Sequence, residues 1–326
     1  MKQLLSQLQL TSAWIAFTST LITVHADPED LTFRALQSFG SDKSTLSNDD
    51  FWKDFQTRTL EQSFEASPGT KLEMRIEDAD VVISSHTEPG IQIRFEHAVK
   101  ANNAHHAKPF FDSYDVAFES TARGLQLHAK FTHRLREFRS SPSQARFEIL
   151  VPADYPLAIH LVDGDLAMEH LSGANSIHLV DGKLNARDIN GTLQANIVDG
   201  DFTLEQMMGT LNVRLTDGDL TATSISAPVQ AQVTDGDIHM SWAGSVVEAI
   251  QLATTDGDVA LEFPSDAAFN LNLVVTDGKA VVGFPVEQRQ QKSDSTIVIS
   301  RINGGGAPVS ITTTDGDVRL KARKTN

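Results

Sequence analysis

Hydrophobic and polar residues alternate with a period of two from Phe64 onward, which predicts β-strands rather than helices. Between residues 61 and 156 these strands are separated by turns of varied length, and the last strand closes at Pro152. We expect this segment to form an antiparallel β domain. Ahead of it, residues 27–60 are polar, and Ser47 to Asp50 could cap one short amphipathic helix.

Residues 157–326 carry a repeat. Asp-Gly recurs at spacings that are mostly 18 residues, with the Asp at Asp163, Asp181, Asp199, Asp217, Asp235, Asp256, Asp277 and Asp315. Aliphatic residues alternate with polar ones on both sides of each turn, as at Leu211, Val213 and Leu215. Each unit is therefore predicted to hold two short strands, a tight Asp-Gly turn and a looser corner near a glycine such as Gly191. Spacing of this regularity is typical of repeat architectures.

Two all-β architectures share this pattern. In an antiparallel meander each Asp-Gly turn would close a two-residue hairpin. In a β-solenoid each unit would be one coil, and equivalent residues would stack about 4.8 Å apart. The strict length of the units and their aliphatic core favour the solenoid. We predict an N-terminal antiparallel β domain followed by a single-chain β-solenoid, or β-helix, of about eight repeats.

The N-terminus predicts export. Lys2 is followed by a short apolar stretch and by Val24-His25-Ala26, a pattern typical of a secretory signal peptide over residues 1–26. The apolar stretch is too short to span a membrane, and no other candidate span follows. Cleavage after Ala26 would leave a periplasmic or secreted protein with a formal charge of about −17 and no cysteine. So acidic a chain is not expected to bind nucleic acid.

The chain resembles a bacterial family of exported β-strand-repeat proteins known by the description "putative adhesin", a domain of unknown function. The resemblance covers about residues 61–322. The resemblance rests on four segments of the sequence. They are the strands within 72–83, the segment Ile-Leu-Val-Pro at 149–152, the serial Asp-Gly-Asp turns, and the Asn-Gly-Gly-Gly segment at 303–306 before the last unit. It implies a β-helical body without an established enzymatic activity, and it supplies no catalytic residues.

The repeated aspartates allow two interpretations. An Asp before Gly accepts hydrogen bonds within its own turn, and the Gly adopts a positive φ, so turn chemistry alone explains the pattern. Alternatively, carboxylates repeated along an edge could bind Ca²⁺, which prefers oxygen ligands. The candidate ligands for this alternative are Asp163, Asp165, Asp199, Asp201, Asp217, Asp219, Asp235 and Asp237. We favour turn chemistry, with no cofactor.

Lysine replaces the second Asp at two turns. In a stack we expect Lys183 to lie between Asp165 and Asp201, and Lys279 to lie beside Asp258, where each relieves carboxylate repulsion. We also expect the last unit to end the stack, with basic residues after Val318 that discourage edge-to-edge association.

The outward positions of the repeat strands are polar, nearly uncharged and free of aromatic residues, as at Gln194, Asn212 and Gln230. This composition is typical of a solvated face or a weak protein-contact face. The neighbouring outward column begins with His160 and His178.

Basic residues cluster between Arg123 and Arg146, with His128 among them. These residues could bind an anionic envelope polymer. The simpler interpretation is that they lie on a solvent-exposed hairpin and bind nothing. His97, His105 and His106 lack the spacing of a metal site, and we expect surface histidines.

No nucleophile elbow, phosphate loop or metal-hydrolase motif is present. We therefore predict a non-catalytic protein with an adhesin-like or scaffolding role in the cell envelope, bound to an envelope or surface protein or polymer. The alternatives are a Ca²⁺-stabilised binding module and, less favoured, a polysaccharide-active enzyme.

Overall fold

The computed structural model describes residues 55–132, 143–244, 246 and 248–324. The expected signal peptide and the helix expected near Ser47 lie outside the described residues. So does most of the loop that carries Arg134, Arg136 and Arg139.

The described chain is all-β apart from one helix, and its strands form two layers that share one core. Layer A holds the strands that lead into the Asp-Gly turns, together with their neighbours. In spatial order it contains β5 (Tyr114–Thr121), β6 (Gly124–Phe131), β2 (Lys71–Ile76), β8 (Leu157–Asp163), β10 (Ala174–Asp181), β11 (Leu184–Asp199), β12 (Phe202–Asp217), β14 (Val229–Asp235), β16 (Ile250–Asp256), β22 (Ala307–Asp315), β18 (Phe269–Thr276), β21 (Ser295–Ile302) and β20 (Gln288–Gln291).

Layer B holds the strands that leave the turns. In spatial order it contains β1 (Phe55–Phe64), β4 (Ile91–Lys100), β7 (Ser143–Pro152), β3 (Asp80–His86), β9 (Leu166–Leu171), β11, β12, β13 (Leu220–Ser226), β15 (Ile238–Trp242), β17 (Val259–Pro264), β23 (Val318–Arg323) and β19 (Ala280–Val282). Strands β11 and β12 run through both layers, each passing the corner at Gly191 or Gly209.

From β8 to β17, strands of successive repeat units pair in parallel and in register. Leu193 of β11 lies opposite Leu211 of β12, and Leu211 lies opposite Val229 of β14. Every unit is therefore a coil stacked on its neighbour, and the repeat region is β-solenoid-like rather than an antiparallel meander.

Alternation along each strand decides which side chains enter the core. In β11, Leu193, Ala195 and Ile197 are buried between the layers, whereas Gln194 points outward and is exposed. Full burial of one such aliphatic side chain contributes about 1.5–3 kcal/mol. The stack thus obtains its stability from many thin layers of aliphatic residues.

The N-terminal end of the stack differs from the expectation of an antiparallel domain. Strands β2 and β3 pair in parallel with β8 and β9 on one side and with β6 and β7 on the other. Antiparallel pairing is confined to β5 on β6, and to β4 and β1 beyond β7. The domain boundary expected between residues 156 and 157 stays a prediction.

The helix α1 (Ala104–Ser113) connects β4 to β5 at this end. Its N-cap is Asn103, whose side-chain oxygen accepts a hydrogen bond from the backbone N–H of His106 at 3.1 Å. The expected hairpin from β6 to β7 is wrong, because β6 lies in layer A and β7 lies in layer B.

The C-terminal end also departs from chain order. Strands β22 and β23, although last in the chain, pair with β16 and β17 on one side and with β18 and β19 on the other. The expectation that the last unit ends the stack is therefore wrong. In layer A the end is formed by β21 and β20, which pair antiparallel beyond β18.

Aromatic residues concentrate at the two ends of the core. Phe95 contacts Phe147 and Tyr114 at the N-terminal end. At the other end Trp242 stacks on Phe263, with ring centroids 4.5 Å apart, and Phe263 contacts Phe269 in turn. Between them the core is almost entirely aliphatic. Large side chains thus fill the places where the regular stack changes geometry.

Candidate functional site

The Asp-Gly turns form one continuous edge along the stack, which we call the turn edge (residues 163–165, 181–183, 199–201, 217–219, 235–237, 256–258 and 315–317). Equivalent aspartates lie in register, and the pairs are Asp163–Asp181, Asp181–Asp199, Asp199–Asp217, Asp217–Asp235, Asp235–Asp256 and Asp256–Asp315. The first Asp of each turn is exposed.

The glycines of the turn edge are required by conformation and by space. Gly218 has a φ of +128°, a region that residues with a side chain rarely adopt. A Cβ atom at this position would lie 2.4 Å from the carbonyl oxygen of Gly200 in the previous coil. The N–H of Gly200 donates to the carbonyl of Asp217 at 2.9 Å, so the backbones of successive turns are in direct contact.

The second Asp of each turn bonds to the next coil. Oδ1 of Asp237 accepts a hydrogen bond from the backbone N–H of Asp258 at 2.7 Å. The same contact joins Asp80 to the N–H of Asp165, Asp165 to Lys183, Asp201 to Asp219, Asp219 to Asp237, Asp258 to Asp317 and Asp317 to Lys279. These carboxylates satisfy backbone donors that would otherwise lack a protein partner between coils. The second Asp therefore has a structural role between coils, whereas the hydrogen bonds expected within one turn for the Asp before Gly stay a prediction.

The Ca²⁺ alternative is not decided by these contacts. In the described ranges, no group of three or more acidic or histidine side chains has an arrangement that would hold a metal ion. The eight candidate ligands from Asp163 to Asp237 all belong to the turn edge, and their use by a cation stays a prediction.

One lysine of the turn edge, Lys183, and one lysine beside it, Lys279, have different neighbours. Lys183 lies between Asp165 and Asp201 as expected, and its Nζ is 3.5 Å from Oδ2 of Asp201. Lys279 lies beside Asp317 rather than Asp258, because β22 and β23 separate its coil from that of Asp258. The expectation for Lys279 was therefore wrong.

The outer face of layer A presents rows of amide and hydroxyl side chains. We define the amide face by its central row, which contains Ser176, Gln194, Asn212, Gln230, Gln251, Ser310 and Asn272 in adjacent positions. Within the described part of the chain, the amides of Gln194, Asn212 and Gln230 have no hydrogen-bond partner. These donors and acceptors are satisfied by solvent or by a ligand.

The outer face of layer B instead pairs its charges across neighbouring coils. Arg187 contacts Glu205 at 2.9 Å, and Lys321 contacts Glu262 at 3.2 Å. Ser84 donates to Glu169 at 3.0 Å. This face is largely satisfied by its own side chains.

His97 is buried rather than on the surface, which corrects one expectation. It is 1% exposed and lies among the rings of Phe95, Phe111 and Tyr114. Neither of its ring nitrogens has a hydrogen-bond partner in the described residues. Burial, with a smaller effect of the positive charge on Arg58, lowers the pKa of His97 to about 4. His105 and His106 are exposed, as expected.

The family is evident from the sequence. The profile of the family described as Toastrack DUF4097 matches residues 69–321, which is most of the described chain. The chain belongs to this family. The resemblance inferred from the serial Asp-Gly-Asp turns is thereby confirmed.

Several solved structures are similar to this chain at low sequence identity. One described as a putative adhesin from Bacteroides fragilis is 12% identical, with a TM-score of 0.41, over 81% of this chain and 97% of that chain. One described as a putative lipid binding protein from Parabacteroides distasonis is 8% identical, with a TM-score of 0.38, over 82% and 98%. One described as a putative cell adhesion protein from Clostridium sporogenes is 10% identical, with a TM-score of 0.25, over 82% and 100%.

No curated protein sequence matches the chain. Among the described residues, no helix combines the length and the hydrophobicity that a membrane span needs.

Proposed function

We propose that the protein is a non-catalytic, exported member of its family with an adhesin-like or scaffolding role in the cell envelope. Its amide face contacts an envelope or surface protein or polymer. After cleavage following Ala26, the mature protein acts in the periplasm or outside the cell.

The observation that carries this proposal is the unused hydrogen-bonding capacity of the amide face. Each amide supplies donors and an acceptor, and stacking repeats them about every 4.8 Å along the layer. Because Gln194, Asn212 and Gln230 bond to no other described side chain, a partner could exchange water for protein contacts without breaking anything in the fold.

The same face offers little for catalysis. On the outer face of layer A, the outward positions of residues 192–198 and 210–216 and of β14, β16, β22 and β18 hold one charged residue among those described, Arg214. General acid–base chemistry needs titratable groups that converge on a reacting atom. A broad array of amides instead suits contact with an extended partner.

Site-directed crosslinking in cells tests the proposal. A photoreactive residue replaces Gln230 on the amide face or, as the matched control, Thr203 on the outer face of layer B. We expect adducts with an envelope component from position 230, few adducts from position 203, and an intact mass that begins at Asp27. Equal adduct yields from both faces, or retention of residues 1–26 in the exported protein, would contradict the proposal.

A second candidate is a Ca²⁺-stabilised binding module that uses the turn edge. The observation in its favour is the exposure of the first Asp of each turn, in register from Asp163 to Asp315. A melting temperature that rises sharply with micromolar Ca²⁺ and falls with a chelator would support this candidate. An unchanged melt would reject it.

A further inference from the structure

Histidine and arginine side chains from four strands lie in one row on the outer face of layer A, at its N-terminal end. His128 of β6 lies opposite Arg75 of β2, Arg75 opposite His160 of β8, and His160 opposite His178 of β10. We call these four residues the histidine row. The chain brings them together only because β2 is inserted between β6 and β8.

The side chains of the row are close enough to act on one ligand. The rings of His160 and His178 stack with centroids 4.8 Å apart and planes inclined by 12°. His128, Arg75 and His160 line a groove together with Lys130 and Ser176. Strand spacing places successive members about 4.8 Å apart, so the row extends over roughly 15 Å.

The charge of this region depends on the histidines. Besides the histidines, the cations of this region are Arg75 within the row and Lys71 and Lys130 beside it. The acids that face the row are Glu73, Glu77, Asp115 and Glu119. Strands β10 and β11 add only uncharged neighbours such as Ser176 and Asn196. The balance is one negative charge when the three histidines are neutral, and two positive charges when all are protonated.

Protonation of His160 is opposed first by its burial and then by the positive charges beside it in the row. Burial lowers the pKa of His160, and the neighbouring His178 and Arg75 lower it further, while Glu77 opposes the effect. Glu73 cannot fully compensate Arg75, since it also contacts Lys71, at 3.4 Å. An anion that bridges the row would remove this repulsion and thereby favour the protonated histidines.

We propose that the histidine row binds phosphate-bearing anions, and that it binds them more tightly when His128, His160 and His178 are protonated. The inference rests on the proposed binding role and names the chemistry of a ligand for it. Arg75 supplies the planar donor pair that suits phosphate oxygens, and the imidazolium rings supply charge-assisted donors on both sides.

The amide face continues the row. Asn196 and Arg214 occupy the next two positions beyond His178. A linear polymer with phosphate groups could therefore place an anionic part on the histidine row and neutral parts on the amides. The phosphate could come from such a free polymer or from a lipid headgroup.

Binding by the purified mature chain tests the inference. The probes are long-chain inorganic polyphosphate, and vesicles of phosphatidylcholine with or without phosphatidylglycerol, at pH 5.5 and 7.5 and constant ionic strength. We expect wild type to bind a phosphate probe at least about 10-fold more tightly at pH 5.5, since a one-unit rise in a histidine pKa corresponds to a 10-fold coupling. Polyphosphate binding assigns a free polymer, and binding only to phosphatidylglycerol vesicles assigns a headgroup.

Matched variants locate the site. The double variant H160Q/H178Q should lose the gain at pH 5.5, whereas H239Q, at an exposed histidine on the outer face of layer B, should keep it. In wild type the NMR titrations of His160 and His178 should shift to higher pH with the bound probe. Unchanged thermal melts would show that the double variant remains folded, because both histidines point outward.

Two outcomes overturn the inference. One is wild-type binding that is equal at both pH values or absent with both probes. The other is a double variant that binds like wild type. Crosslinking from position 230 in cells is a separate readout, so its persistence in the double variant would leave the proposed role standing even if the histidine row binds no phosphate.

Discussion

The turn edge and the amide face are both polar, largely exposed and repeated along the stack, but the fold uses their polar groups differently. At the turn edge, the carboxylate of Asp237 bonds to the N–H of Asp258, and the backbone of Gly218 contacts that of Gly200. On the amide face, the side chains of Asn212 and Gln230 bond to nothing else in the described chain. Repetition alone therefore does not distinguish a structural position from a binding position.

Hydrogen-bond accounting does distinguish them. A polar group that satisfies a neighbouring coil stabilises the stack, and its loss leaves an unpaired donor. A polar group that bonds only to water can be replaced at little cost in stability, so function is the better explanation of its repetition. Substitutions at the two regions should consequently affect different measurements.

The largest effect is expected at a turn glycine. Gly218→Val places a β-branched side chain at a positive φ and against the carbonyl oxygen of Gly200, which should cost about 3 kcal/mol or more. Urea unfolding measures the loss. The control Gly244→Val, where a Cβ meets nothing within 4 Å, should cost far less. Equal losses of unfolding free energy in the two variants would show that the contact between stacked turns is not the cause of the loss.

Acid should destabilise the N-terminal end through His97, a buried side chain whose ring nitrogens bond to no described residue. Because its pKa is lowered from 6.5 to about 4, the neutral form is favoured in the fold, and this stability is lost as the pH falls from about 6.5 toward 4. The cost should reach about 3 kcal/mol near pH 4. His97→Phe should reduce the pH dependence of urea unfolding by that amount. A variant with the wild-type pH dependence would contradict the buried, unpaired state.

A smaller effect is expected at the second Asp of a turn. Asp237→Ala removes the acceptor for the N–H of Asp258 and should cost about 1 kcal/mol, whereas Asp237→Asn keeps an acceptor oxygen and should cost less. Thermal and urea melts compare the two variants. If they are equally stable, the inter-coil hydrogen bond makes no measurable contribution.

Charge repulsion along the turn edge should affect stability less than the loss of the inter-coil hydrogen bond does. Lys183→Asp inserts a third carboxylate between Asp165 and Asp201, and repulsion at about 4.8 Å amounts to roughly 1 kcal/mol in water. Lys183→Asn is the control, since it offers the same acceptor without charge. The Asp variant should melt below the Asn variant in low salt, and the difference should vanish in high salt. Identical melts at every salt concentration would show that the column carries no repulsion.

The smallest stability effect is expected on the amide face. Gln230→Ser with Asn212→Ser should change stability by no more than about 0.5 kcal/mol, because both side chains are exposed or partly exposed and bond to no described neighbour. The same double variant should lose crosslinked adducts from a photoreactive residue at position 194. A large loss of stability, or unchanged crosslinking, would contradict the view that amide-face side chains serve binding whereas turn-edge side chains serve stability.

Much of the repeat was determined by sequence alone. Equal spacing of Asp163, Asp181 and Asp199 requires equivalent residues to meet if the coils stack, and the structure pairs them in register. Alternation at period two placed Leu193, Ala195 and Ile197 in the core, because successive side chains of a strand point to opposite faces.

Tertiary structure alone decided which coils are neighbours. Every coil presents similar open strand edges above and below, so local pattern cannot tell that β22 and β23 insert between β16–β17 and β18–β19, or that β2 separates β6 from β8. Those two insertions placed Lys279 beside Asp317 and brought Arg75 between His128 and His160. Burial of His97 has the same origin, since the rings of Phe111 and Tyr114 cover it from other elements of the chain. Pairing over such distances depends on how the whole chain covers its open strand edges, and no local stretch of sequence carries that information.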